Sequence, residues 1–263
     1  MEKSKVLIHV PNKDNPILQK VINLINENKE VQTLWKVNNI NAIDRLGMSD
    51  HGPVHFQIVA NSAIRIARLL KEADVKFSLK KDYNLDFNYS ELVIFLASIF
   101  HDLGISIHRD GHEEFSLFLA NNLLREILSF LDVEERVIVT SETLHAIISH
   151  RSGGKPLTIE AGIVRIADAL DMTKGRARIP YELGNVNIHS ISGAAIDDIE
   201  IKKGEKKPVQ INITMNNSAG IFQIDDLLNS KLMGSGIEKY VSVNAFIKRK
   251  TEKKLLQEFV IER

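Results

Sequence analysis

Nine histidines and no cysteine set the terms for any metal chemistry: imidazole and carboxylate must ligate, because no thiolate is available. The number of histidines means little, and their placement means more. His101 and Asp102 follow directly on the apolar run 92–100, at the end of a helix that should be almost wholly buried. Desolvating an ionisable pair at that depth is costly unless something compensates it, and a divalent cation would do so. The plainer alternative is a helix C-terminus where His101 caps carbonyls and Asp102 faces solvent. Asp168 lies within a second apolar helix, 161–170, where a carboxylate again needs a partner. A buried ion pair with Arg165 is the plainer alternative there.

The elements that must position these groups are mostly helical. Between about 15 and 183, apolar residues recur at helical spacing. Pro16 opens a first helix with Ile17, Val21, Leu24 and Ile25 on one stripe, and a second covers 31–46. Pro53 opens a third, with Val59, Ala63, Ile66 and Leu70 inward. Residues 74–89 are polar without a clear period and read as a surface insertion. Ser90 caps the apolar helix 91–100, which Gly104 stops, and further helices follow at 112–130, 133–150 and 158–170. From about Asn185 the pattern alternates. Segments 186–189, 199–201, 209–213, 241–247 and 255–261 read as strands, with a helix at 223–232. The expected fold is mainly α, a helical bundle over 1–184 followed by a small α+β domain over 185–263. Residues 6–10 read as a further strand that could join that sheet.

Composition adds exclusions. Lys+Arg and Asp+Glu are both 34, so no overall charge draws the chain toward nucleic acid or an anionic membrane. The run 92–100 is too short to span a bilayer, and the first residues lack the apolar stretch of a secretory signal. A cytoplasmic protein with neither a membrane nor a nucleic-acid partner is expected.

The order His…His-Asp…Asp resembles the signature of the HD superfamily of metal-dependent phosphohydrolases. It is carried here by 50–59, by His101-Asp102-Leu103-Gly104, and by 167–171. The resemblance implies a helical HD fold with His55, His101, Asp102 and Asp168 as metal ligands. His55 is followed by a small aliphatic, Val59, as in relatives. His51 would precede the helix or lie in its first turn, so it is either an exposed residue or one that orients a ligand or contacts substrate phosphate. The family's bimetallic branch adds two histidines, which His112 and His150 resemble. His145 competes with His150, but five helical residues turn roughly 500°, so the two point about 140° apart and cannot easily serve one ion. The resemblance selects His150, which lies at a helix end before a polar loop. His108 lies in a loop, and His9 and His189 fall outside the helical region. The Gly-Tyr-Pro signature of the cyclic-dinucleotide-hydrolysing branch is absent.

This ligand set implies two divalent transition ions (manganese, iron, cobalt, nickel or zinc). Asp102 would bridge them, since a carboxylate has two oxygens and an imidazole one available nitrogen. His55, His101 and Asp168 would complete one shell, and His112 with His150 the other. Such a pair activates water and neutralises phosphate oxygens. The expected activity is therefore hydrolysis of a phosphomonoester or phosphodiester in a nucleotide or related small metabolite. Phosphates also need cations, and Arg109, Arg151, Lys174, Arg176 and Arg178 lie near the motifs. The run 173–178 resembles the basic stretch after the last Asp in relatives, which favours Lys174 and Arg176 as phosphate contacts. A solvated helix cap is the alternative. Asp171, roughly 60° around the helix from Asp168, would orient a ligand or Lys174. Two other activities fit the same resemblance: a diiron oxygenase, and a non-catalytic nucleotide-binding regulator whose C-terminal region serves as sensor or dimer contact. A homo-oligomer is compatible with each.

Overall fold

The computed structural model describes residues 6–12, 14–151, 153–176, 188–248 and 258–261. Its helical region comprises α1 (Pro16–Glu27), α2 (Lys29–Asn39), α3 (Pro53–Glu72), α4 (Ser78–Tyr83), α5 (Phe87–Phe100), α6 (His112–Ile127), α7 (Val133–Ser149) and α8 (Ile159–Ala169). α5 is the axis of the bundle. All its residues from Ser90 to Phe100 are buried, and α3, α7 and α8 pack around it. A helix enclosed on all sides has no use for a polar face, which is why its sequence is apolar all round. With the turn after it, Phe87–Ser106 is long and apolar enough to cross a membrane by composition, but 89% of that window is buried inside the protein.

Four expectations for residues 6–106 need correction. The second helix does not run unbroken to residue 46, because α2 gives way to a π-type turn over Ile40–Arg45. Residues 74–89 are not a surface insertion. α4 sets Leu79 into the core beside Phe77, and Glu160 of α8 accepts the Leu79 N–H at 3.2 Å and the Ser90 hydroxyl at 2.8 Å. Asp86, rather than Ser90, caps α5 by accepting the Asn88 N–H at 2.8 Å. Residues 6–10 form no strand. The Asn26 side chain bonds both the N–H (2.8 Å) and the carbonyl (3.0 Å) of Ile8, doing for one residue what a neighbouring strand would do.

The C-terminal region begins with a helix, α9 (Ile188–Ala194), where a strand was expected at 186–189. Residues 186 and 187 lie outside the described residues, as does the expected domain boundary at 184/185. α9 buries Ser190 and Ser192 and exposes Ile188 and Ile191, an inversion that conceals it from a reading based on apolar period. Strands β1 (Ile196–Lys203), β2 (Val209–Met215), β3 (Val241–Ile247) and β4 (Glu258–Ile261) form one sheet in that order. β1 and β4 run antiparallel to their neighbours, while β2 and β3 are parallel. A parallel pair needs a crossover, and the segment from Ser218 to Leu232 supplies it. That segment holds a π-type turn (Gln223–Asn229) and the single helical turn α10 (Ser230–Leu232) where one continuous helix was expected. Val209, Ile211, Ile213 and Met215 alternate inward along β2. The sheet packs on α3, and the apolar core continues from the helices into it.

Candidate metal centre

The ends of several helices deliver the ligating groups. His55 sits in the first turn of α3, where the Asp50 carboxylate accepts its N–H at 3.1 Å. His101 and Asp102 end α5, and Asn38 of α2 donates to the Asp102 carbonyl at 2.8 Å. His112 opens α6, His150 ends α7, and Asp168 lies in the last turn of α8. Gly104 permits the closest of these approaches, because a Cβ there would collide with the His112 carbonyl. Ser116 Oγ locks the junction, accepting the Gly104 N–H at 2.8 Å and donating to the His101 carbonyl at 2.7 Å.

Six predicted residues converge. His55 Nε2 and His101 Nε2 lie 3.1 Å apart. Asp168 Oδ1 lies 3.3 Å from the first and 3.6 Å from the second. Asp102 faces two ways. Its Oδ2 is 3.4 Å from His101 Nε2, whereas its Oδ1 is 3.0 Å from His112 Nε2 and 3.6 Å from His150 Nε2. The triplets His55/His101/Asp168, His101/Asp102/His150 and His112/Glu113/His150 are each compact enough to hold a metal ion.

The outer ring nitrogens decide what the inner ones can do. Nδ1 of His101, His112 and His150 faces the carbonyls of Ser98 (2.9 Å), Arg109 (2.9 Å) and Ile147 (2.6 Å), and Nδ1 of His55 faces the Asp171 carboxylate (2.6 Å). The carbonyls beside His101 and His150 place a proton on Nδ1 of those rings, and the Nε2 atoms of all four histidines point toward the centre, where they can ligate once free of protons. Four imidazole nitrogens and two carboxylates cannot share so small a volume without positive charge, from a proton or from a metal ion. The donor set thus fits a divalent cation.

The electrostatics agree. Burial opposes charge on His101, yet Asp102 and Asp168 outweigh it and push the imidazole up to about 10. Burial also opposes ionisation of the two aspartates. His101 and His112 nevertheless hold Asp102, and Lys231 and His101 hold Asp168, well below the usual carboxylate range. His150 is lowered to about 3 by burial and then by His101. Without metal, the cluster keeps a proton where a cation would sit.

His51 is buried rather than exposed and lines the cavity beside the cluster, its ring centroid 5.6 Å from that of His55. Its Nδ1 donates to the Ser49 carbonyl at 2.8 Å and its Nε2 accepts from Arg176 at 3.0 Å; burial and Arg176 lower it to about 3. Arg176 also bonds Asp171, so Asp171 orients His55 and Arg176, not Lys174. Lys174 faces outward and pairs with Asp197 at 3.1 Å, away from the cavity. A partner on β1, remote in sequence, draws it off. Arg178 lies outside the described residues. His145 accepts the Leu157 N–H at 2.9 Å, clear of the cluster. Arg165 does not pair with Asp168. It donates to the carbonyls of Gly154 (2.6 Å), Arg151 (2.7 Å) and Lys231 (2.8 Å).

Two charged neighbours escaped the sequence. Glu113 is buried beside His112 and pairs with Arg151 at 3.1 Å; an acid in a first helical turn passes for an ordinary dipole partner. Lys231, from α10, bonds Asp168 Oδ2 across a separation of 63 residues that no local pattern reveals. A cavity of about 690 Å³ opens over the cluster, with Arg109, Arg151, Arg176 and Lys231 in its walls.

The HD domain family matches residues 54–173. An uncharacterized protein of Methanocaldococcus jannaschii is 44% identical over 236 residues, 89% of this chain and 90% of that protein. The chain belongs to the HD family. Its helical site region is thereby that of the metal-dependent phosphohydrolase superfamily. The likeness to the archaeal protein is too long to fit within residues 1–173, so it extends into the C-terminal region. No solved structure matches the chain.

Proposed function

We propose that the protein is a metal-dependent phosphohydrolase acting on a small phosphorylated molecule, with a nucleotide as the favoured class. The observation that carries this reading is the set of four inward Nε2 atoms and two ionised carboxylates beneath a cavity walled by cations. His55, His101, Asp168 and one oxygen of Asp102 would hold one divalent ion; the other oxygen of Asp102, His112 and His150 would hold a second. Imidazole and carboxylate donors suit manganese, iron, cobalt, nickel or zinc. When bound, such ions supply an activated water near neutral pH and offset charge on phosphoryl oxygens.

The chain's own residues do the rest. Arg176, held by Asp171 and His51, presents a fixed guanidinium to phosphate oxygens on the His55 side. Arg109 and Arg151 stand on the side of His112 and Glu113. Leu46, Met48, Met172 and Leu227 supply apolar wall for the part of the substrate without charge, and the volume suits a ligand of nucleotide size.

The test is a panel of phosphomonoesters and phosphodiesters given to protein stripped with chelator and reloaded with Mn²⁺ or Co²⁺. Release of phosphate from a monoester, or of a phosphomonoester and an alcohol from a diester, under strict anaerobiosis is expected, lost on chelation and restored by metal. Oxygen uptake with reduced iron and no phosphate release would replace the reading with an oxygenase. Nucleotide binding without turnover under every metal would replace it with a regulator.

A further inference from the structure

The wall of the cavity opposite the α5 and α6 ligands comes from outside the HD-matched residues, from α9 and the segment that ends in α10. Its one cation among the described residues, Lys231, is set in place with care. The amine bonds Asp168 Oδ2, the oxygen turned away from His55 and His101, and the side chain is only 15% exposed. Leu228 and Leu232 anchor the flanking turns in the core. Arg165, one turn before Asp168 on α8, reaches across to accept none and donate to the carbonyls of Ser230 (3.3 Å) and Lys231 (2.8 Å). The helix that carries a candidate ligand thus clamps the backbone of the residue that bonds that ligand.

A surface lysine that merely balanced a carboxylate would not need a buried arginine to fix its main chain. We propose that Lys231 is a substrate-binding residue contributed by the C-terminal region, contacting a phosphoryl oxygen of the substrate while steadying Asp168. An ammonium group has three N–H donors. One is used by Asp168, and the cavity lies open to the others. A divalent cation at the cluster would draw on Asp168's negative charge and weaken its hold on the amine, freeing Lys231 for an incoming anion. This inference rests on the hydrolase reading, and the experiment separates the two.

Inorganic phosphate is the probe, titrated calorimetrically into the Mn²⁺-loaded full-length protein and into K231M and K231R. K231M is expected to keep the wild-type Mn²⁺ stoichiometry and lose about tenfold or more in phosphate affinity, with K231R recovering part of the loss. Phosphate affinity within twofold of wild type in K231M, or loss of Mn²⁺ from it, would overturn the proposal and reduce Lys231 to a support for Asp168. A second readout needs no variant: phosphate should protect Lys231 from acetylation severalfold in the metal-loaded wild type, and absence of protection counts against the contact. Wild-type protein that hydrolyses phosphoesters while Lys231 fails these tests leaves the hydrolase reading standing. Wild-type protein that binds no phosphate overturns the Lys231 contact, and the phosphoester panel then decides the hydrolase reading by itself.

Discussion

The helical region and the C-terminal region treat buried polarity in opposite ways. In the helices, the ends of α3, α5, α6, α7 and α8 drive imidazoles and carboxylates into a core that elsewhere excludes them, and the cost is met only if a cation joins them. In the sheet, β2 and β3 bury aliphatic side chains in strict alternation, as an ordinary core does. The C-terminal region lines the cavity through α9 and a few groups on its crossover segment, and among the described residues its strands line none of it. Polar burial in one region declares a site, whereas apolar burial in the other declares only a wall, and the wall's chemical role has to be read from contacts.

The sharpest way to break this contrast is Asp102→Ala. Activity should fall at least about 1,000-fold with loss of bound metal, while the far-ultraviolet circular dichroism of both regions is retained. Full activity in that variant would remove the metal centre from the account. Arg165→Met acts on the link between the regions instead. With its buried carbonyl partners orphaned, the protein should lose about 3 kcal/mol and melt roughly 6–12 °C lower. A melting temperature unmoved by the change would mean that the clamp contributes nothing to joining them.

Asp171→Asn probes the helical region alone. Asparagine holds the His55 ring less firmly in its tautomer, and Mn²⁺ affinity should drop about 10- to 100-fold by calorimetry, with little change in thermal stability. Acidity should separate the regions too. His101, with its pKa raised to about 10, is protonated at pH 6–8 in the metal-free cluster, and metal must displace that proton. Apparent Mn²⁺ affinity should therefore rise with pH, about tenfold per unit over that range. Calorimetry in buffers of differing ionisation enthalpy would count the proton released, and a count of zero would refute the protonated cluster. The smallest effect belongs to Lys174→Ala, whose turnover should stay within about twofold of wild type, because an exposed pair with Asp197 contributes little.

How far each region was legible follows from the same contrast. His101, Asp102 and Asp168 were readable because polar residues interrupting or ending apolar helices need an explanation, whereas His55, His112 and His150 were legible only through the HD resemblance. α5 was readable as a core helix for the same reason. Short elements were not. α4 inserts Leu79 beside Phe77 and leaves no period to detect, and α9 turns serines inward where a pattern reading expects isoleucines. Lys174 and Lys231 show the remaining difficulty. Two lysines of equal chemistry are told apart only by tertiary partners, Asp197 for one and Asp168 for the other, which lie far along the chain.

One side of α8 meets the C-terminal segment at three successive levels. Gly162 leaves room for the Ser235 carbonyl, Arg165 grips the backbone at 230 and 231, and Asp168 receives the Lys231 amine. A chimera that kept these helices and borrowed another protein's C-terminal half would present this row of shape, charge and counter-charge to a stranger. Any successful transplant has to move residues 162, 165 and 168 together with the segment they receive, so these two stretches form a single inheritable unit although some sixty residues separate them.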